Sequence, residues 1–261
     1  MLRLSGIRPT GEMHIGHYFS VIKPALELDA DVLVAQYHAP RSTPSDVERM
    51  VQMLERFGIN ENYVHLQEDE FRADVYFELL SIARVGELER MTQYMNGDEN
   101  DAHLLIYPIL MVHDVMGYDE VLVGEDQAQH LNYARDLIER YNKTFSEEIA
   151  EITIPTFRAV GGRVMSLTDP TSKMSKSEPD GCLFLSDSED TINRKIKAAT
   201  MTFEGRANLI ELYRNLGGVD EIPEMNSDFK PLVAELLART LAPGRRKVSR
   251  FDPVIGGMSG L

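Results

Sequence analysis

The sequence predicts an α/β protein: a doubly wound parallel sheet followed by a short C-terminal helical domain. Through the first 186 residues, short β-branched apolar runs alternate with segments of helical periodicity, the pattern of strand–helix–strand units. After about residue 187 the strand pattern fades and only helical segments follow. The 261 residues, 43% of them hydrophobic, suffice for a full core. This divides the chain into residues 1–186 and 187–261.

The elements follow in order. Strands are expected at Leu2–Ser5, Asp31–Tyr37, Tyr63–Leu66, Glu120–Val123 and Cys182–Leu185. A Pro9-Thr10-Gly11 turn leads from the first strand into an apolar-periodic helix, Ile15 to Leu28. Residues 45–57 place Val47, Met50, Val51, Leu54 and Phe57 at helical spacing behind a Ser45-x-x-Glu48 capping box. Residues 125–141 repeat the pattern with Leu131, Ala134, Leu137, Ile138 and Tyr141. Met95–Asp101 is a polar loop, and helices near 188–200, 206–216 and 228–241 close the chain. In such a sheet, ligands bind at the carboxyl ends of the strands.

Composition narrows the partners. A net charge of −15 argues against binding nucleic acid through bulk charge, DNA included, so contact with RNA requires local patches. Arg194-Lys195-Ile196-Lys197 and Arg245-Arg246-Lys247 with Arg250 qualify, though each also reads as an ordinary helix end or solvated tail. The single cysteine, Cys182, excludes an internal disulfide and any multi-cysteine zinc site, and no metal site is predicted. With no apolar run near membrane-spanning length and no leader segment, a cytoplasmic protein without a membrane partner is expected.

Two motifs carry chemistry. Arg8-Pro9-Thr10-Gly11-Glu12-Met13-His14-Ile15-Gly16-His17 joins strand, turn and helix start, where free backbone N–H groups and a partial positive charge make a phosphate site. His14 and His17, three apart, share a helical face, and Gly16 lacks a Cβ where a base or phosphate approaches. Far along the chain, Lys173-Met174-Ser175-Lys176-Ser177 offers two ammonium groups and two hydroxyls to a triphosphate.

A third constellation is a flat slot. Tyr107, Met111 and Asp114 fall at i, i+4 and i+7 on one helical face, a ring and a thioether with a carboxylate acceptor at the end. An isolated acceptor suits an indole N–H better than a phenol, which both donates and accepts. The same spacing also describes an amphipathic core helix with an outward acid. Val121 and Val123 share one side of a strand ending at Gly124, which puts Asp126 and Gln127 at a carboxyl end beside a helix start. There they suit ribose hydroxyls and an amino group, or Glu125 and Asp126 simply complement a helix dipole.

These motifs resemble the HIGH and KMSKS elements of class I aminoacyl-tRNA synthetases. Ser5–Gly11, Gly86–Gln93, Gly124–Gln127 and Arg163–Lys173 extend the resemblance, from Leu4 to about Arg239, to bacterial-type tryptophanyl-tRNA synthetases. The resemblance implies a Rossmann-like catalytic domain, ATP-dependent conversion of L-tryptophan to its adenylate, and transfer to tRNA. It implies Mg2+ arriving with ATP, and a homodimer with its contact near Gly86–Asp114. His14, His17, Lys173 and Lys176 would be catalytic. Arg8, Pro9, Thr10, Gly16, Gly124, Glu125, Asp126, Val164, Met174, Ser175 and Ser177 would join His17 and the two lysines around ATP. Asp114 would take the indole N–H, with His38, Tyr107, Met111, Val121, Val123 and Gln127 around the amino acid. Three departures stand out: Arg8 replaces a common glutamine, the loop at 96–101 lacks the family's lysines, and the closing helical section is shorter. A tyrosyl-type enzyme and a shortened paralogue that does not charge tRNA are the other readings.

Overall fold

Short runs of β-branched residues pair side by side into one five-stranded, all-parallel sheet: β1 Arg3–Ile7, β2 Asp31–Val34, β3 Val64–Leu66, β4 Glu120–Val123 and β5 Thr156–Ala159. The order is β3-β2-β1-β4-β5, so the chain winds outward from β1 and then returns to its other side. The reversal between β1 and β4 opens a crevice at their carboxyl ends. The computed structural model describes residues 1–95, 101–124, 127–145, 151–161, 163–218 and 229–245. The doubly wound parallel sheet expected from the sequence is present.

One expected strand is corrected and one strand was not expected. Cys182–Leu185 is apolar but lies outside the sheet. It runs beside the segment before the first helix, where Ile15 N–H donates to the Leu183 carbonyl at 2.8 Å and Leu185 N–H to that of Met13 at 2.9 Å. The fifth strand is instead Thr156–Ala159, a largely exposed edge strand with no apolar run to announce it.

The period-two alternation of each strand divides the core between the two faces. Ile7, Val32, Val34 and Leu122 pack on one side with Met50 and Leu54 of α3 (Pro44–Arg56). Ile192 and Ile196 of α10 (Glu189–Ala198), Leu209 of α11 (Phe203–Asn215), and Val233 and Leu237 of α12 (Phe229–Thr240) complete that side. Leu4, Leu33 and Val121 pack on the other, against Leu79 of α5 (Ala73–Ile82), Ile109 and Val112 of α8 (Ala102–Val115), and Leu137 and Ile138 of α9 (Ala128–Phe145). The helices after residue 187 therefore share a core with the sheet.

The predicted 15–28 helix is broken into α1 (Ile15–His17), a π-helical turn (Tyr18–Ile22) and α2 (Lys23–Leu28). Pro24 has no N–H for an i−4 bond, and Lys23 N–H reaches back to the Tyr18 carbonyl, one residue further than in an α-helix. The capping box of α3 is Thr43 with Asp46 rather than Ser45 with Glu48, and Pro44 occupies the first turn, where its missing N–H costs nothing. Short helices α4 (Gln67–Glu70), α6 (Val85–Leu88) and α7 (Thr92–Met95) fill the crossover from β3 to α8. Among the described residues, no helix is long and apolar enough to cross a membrane.

Two residues of the basic patches are engaged within the fold, while Arg194 and Lys197 stay exposed. Lys195 is only 5% exposed and is bound to Asp187, so it is no cation offered to RNA. Arg245 is held by Glu189 and the Ala238 carbonyl. Arg246, Lys247 and Arg250 lie outside the described residues.

Candidate active site

A cleft of about 930 Å3 opens at the carboxyl ends of β1 and β4, where the winding of the sheet reverses. Its first wall is the start of α1. His14 is the N-cap: its Nδ1 accepts the Gly16 N–H at 3.1 Å, and Nδ1 of His17 accepts the His14 N–H at 3.0 Å. A ring nitrogen that accepts carries no proton, so in both imidazoles the proton resides on Nε2, leaving two N–H donors. Burial pushes His14 down to about 4, with Lys176 and Lys173 adding to the effect. Burial, then His14 and Lys176, pushes His17 down to about 3. The pair is therefore neutral near pH 7. A Cβ on Gly16 would fall 2.7 Å from Cε1 of His14, so the glycine leaves room for the capping ring.

The lysine loop forms the second wall. Lys173 bridges to Met165, and Met174 N–H donates to the Val164 carbonyl at 3.0 Å. The buried Met174 sulfur accepts from Leu183 N–H at 3.4 Å. With its base so fixed, the loop projects Lys173 and Ser175 outward, while Lys176 Nζ donates to the Thr10 carbonyl on the opposite wall. Burial lowers the Lys176 ammonium below its ordinary value, assisted by Arg8 and opposed by Glu12. On the same side Gly161, at φ +72°, lies against Ser20 of the π turn so closely that a Cβ would sit 2.9 Å from the Ser20 Cα.

The inner end of the cleft is a slot on α8, which Asp101 caps by accepting from Leu104 N–H at 2.7 Å. Tyr107, Met111 and Asp114 all face it. The Asp114 carboxylate is nearly full. His38 Nε2 lies 2.8 Å from Oδ2, the Gln67 amide donates at 2.8 Å to Oδ1 and 2.7 Å to Oδ2, and His113 Nδ1 is 3.4 Å from Oδ1. Burial raises its pKa, but the hydrogen bonds from His113, His38 and Gln67 outweigh that and hold the group below the usual carboxylate range. It is thus not the isolated acceptor that the sequence predicts. His38 stacks edge-on to Tyr107, ring centroids 4.3 Å apart.

Imidazole N–H and ammonium groups at one end of a Rossmann-like crevice, and an aromatic slot ending in a buried carboxylate at the other, have the chemistry to receive an anion and an aromatic ring with a donor. The family described as tRNA synthetases class I (W and Y) matches residues 2–240. A tryptophan–tRNA ligase of Bacillus anthracis is 36% identical over 95% of this chain and 87% of its own length. The chain belongs to the tryptophan–tRNA ligase family. Among solved structures, tryptophanyl-tRNA synthetase from Mycoplasma pneumoniae superposes with a TM-score of 0.77 at 26% identity, covering 94% of this chain and 87% of the other. The enzyme from Campylobacter jejuni, complexed with ADP and tryptophan, does so at 0.75 and 25%, with the same coverage.

Within this ligase-family fold, Arg8, Thr10, His14, Gly16, His17, Gly124, Val164, Lys173, Met174, Ser175 and Lys176 all line the cleft. His38, Tyr107, Met111, Asp114, Val121, Val123 and Gln127 line the same cleft. Pro9 is buried and Ser177 exposed, neither on the lining; the Ser177 hydroxyl is 2.9 Å from that of Ser175. Glu125 and Asp126 lie outside the described residues, as do positions 96–100 of the polar loop. Sequence reasoning missed Gln67 and His113, which hold Asp114, and Gly161 and Arg163, which line the cleft. The glycine pair before Arg163 was the available signal for the latter two, whereas a single glutamine after a strand announces nothing.

Proposed function

We propose that this chain activates L-tryptophan with ATP and transfers it to tryptophan tRNA. The carrying observation is the convergence of both motifs and the α8 slot on one cleft at the switch point of the sheet. The carboxylate of tryptophan attacks the α-phosphorus of ATP, the bond to the β-phosphate oxygen breaks, and pyrophosphate leaves. A terminal ribose hydroxyl of tRNA then attacks the acyl carbon, and AMP departs. The chain itself need form no covalent bond; positioning and charge stabilisation supply the catalysis. In this reading His14 and His17 donate from Nε2 to phosphate oxygens, Lys173 and Lys176 balance the charge that moves onto pyrophosphate, and Arg8 faces the phosphates. Pro9, Thr10, Gly16, Gly124, Glu125, Asp126, Val164, Met174, Ser175 and Ser177 shape the nucleotide site. Asp114 takes the indole N–H, while His38, Tyr107, Met111, Val121, Val123 and Gln127 enclose the amino acid.

Mg2+ enters as the counter-ion of ATP. Among the described residues no group of three or more His, Cys, Asp or Glu side chains is placed to hold a metal, so no ligand is assigned and no step runs through it. The enzyme is read as a cytoplasmic homodimer joined near Gly86–Asp114, and the helices after residue 187 as its anticodon side. The test is amino-acid-dependent exchange of pyrophosphate into ATP with each of the twenty amino acids, followed by charging of tryptophan tRNA. Exchange with tryptophan alone is expected. Exchange with tyrosine instead, or with none by folded protein, would overturn the reading.

A further inference from the structure

We propose that Lys195, which lies outside the cleft, is a positioning residue for His14 and His17, resting on the phosphate role given to those histidines above. Its means is the return segment Leu183–Asp187, on which the start of α1 hangs.

The start of α1 is too short to place itself. Its register comes from the return segment: Ile15 N–H donates to the Leu183 carbonyl at 2.8 Å, and Leu185 N–H to that of Met13 at 2.9 Å. His14 bridges Phe184, and Glu12 accepts from the Ser186 hydroxyl. The same segment holds the lysine loop through Leu183 N–H and the Met174 sulfur. Both motifs therefore take their positions from one stretch of irregular backbone.

That stretch is in turn fixed by one ammonium group. Lys195 Nζ donates to the Cys182 carbonyl at 2.7 Å and to Asp187 Oδ2 at 2.7 Å, binding the residue that leads into the segment and the residue that ends it. Between them it lies 4.9 Å from the centre of the Phe184 ring. Asp187 Oδ2 also accepts Phe184 N–H at 3.0 Å, the amide next to the one held by Met174. A buried charge with this set of partners is placed to fix geometry, since an apolar side chain of equal length would fill the space without dictating the register. α10 thereby reaches the histidines through four residues of backbone.

The test is Lys195→Met, compared with wild type in tryptophan-dependent pyrophosphate exchange per folded molecule, with folding followed by circular dichroism. The expected result is a kcat loss of about ten- to a hundredfold, as a misplacement near 1 Å produces, with the KM for tryptophan within about twofold. The imidazole NMR resonances of His14 and His17 should shift while those of His38 stay. Folded variant protein with unchanged kcat and unchanged His14 and His17 resonances would overturn the proposal. If Lys195→Met does not fold, Asp187→Asn, which keeps an oxygen for Phe184 N–H, is read in the same way: a smaller loss of the same kind supports the proposal, and none overturns it. Absence of exchange in wild-type enzyme would instead bring down the functional reading, and the histidine resonances would then decide the positioning on their own.

Discussion

Nε2 of His38 lies 2.8 Å from Oδ2 of Asp114, which makes the carboxylate at the end of the aromatic slot a shared group rather than an open one. With Gln67 on both oxygens, only the 3.4 Å approach of His113 is loose enough to yield to an incoming donor. The acid is ionised and aimed before any substrate arrives.

Gln67 is the strongest of those supports, being 1% exposed and also accepting the Tyr37 N–H at 2.7 Å. Gln67→Leu should leave the buried carboxylate and the Tyr37 amide short of partners, destabilise the fold by about 2 kcal/mol, and weaken tryptophan binding about tenfold. The chain contains no tryptophan, so the ligand's own fluorescence measures the affinity without background. An unchanged affinity would show that Asp114 needs no second holder.

The two HIGH histidines make stability depend on pH in a defined direction. Their folded pKa values, about 4 for His14 and about 3 for His17, lie below the ordinary 6.5. As pH falls from 6.5 through these values, the unfolded chain takes up protons that the folded chain refuses, so stability is full above 6.5 and lost through that window. Asp114, held below the usual carboxylate range, adds a loss in the same sense at lower pH. Denaturant midpoints at several pH values should therefore fall less steeply in a His14→Asn, His17→Asn double variant than in wild type; equal slopes would refute the assignment.

Gly16→Ala places a methyl group 2.7 Å from Cε1 and 2.9 Å from Nδ1 of His14, so the ring must leave its capping position. Exchange should fall by about two orders of magnitude, the scale for losing one preorganised donor, while tryptophan still binds. Retained exchange would mean that His14 does not act from the place where it is seen.

Lys176→Ala should lower the rate of adenylate formation by a similar factor, about a hundredfold, without changing tryptophan affinity. Single-turnover measurement with and without tRNA separates the alternatives. A defect confined to tRNA binding would remove Lys176 from the chemistry.

Much of this was legible in residue patterns, because periodicity reports burial. Val32 and Val34 alternate with Leu33 across two cores, and α3, α9, α10, α11 and α12 show their apolar faces in sequence. The failures share a cause: burial and pairing that arise from distant partners. Cys182–Leu185 looks like a sheet strand because it is apolar, yet its partner is Met13–Ile15. Thr156–Ala159 is a strand only because β4 offers it an edge. Lys195 reads as surface charge until Asp187 and the Cys182 carbonyl are seen around it. In the site, helical spacing placed Tyr107, Met111 and Asp114 together, but no spacing could bring Gln67 to Asp114 from the far end of β3.

The long reach of the core bears on how the polypeptide is made. Ile7, Val32 and Val34 belong to a face whose remaining cover comes from α10, α11 and α12, the last ending at Thr240. A ribosome adds about 5–20 residues per second, so that apolar face stays partly bare on the nascent chain for on the order of ten seconds or longer. Parallel strands with such separated partners close slowly even afterwards. Chaperone demand should therefore track synthesis more than heat, and slowing translation over the last helices should lower the soluble yield before it alters the finished enzyme.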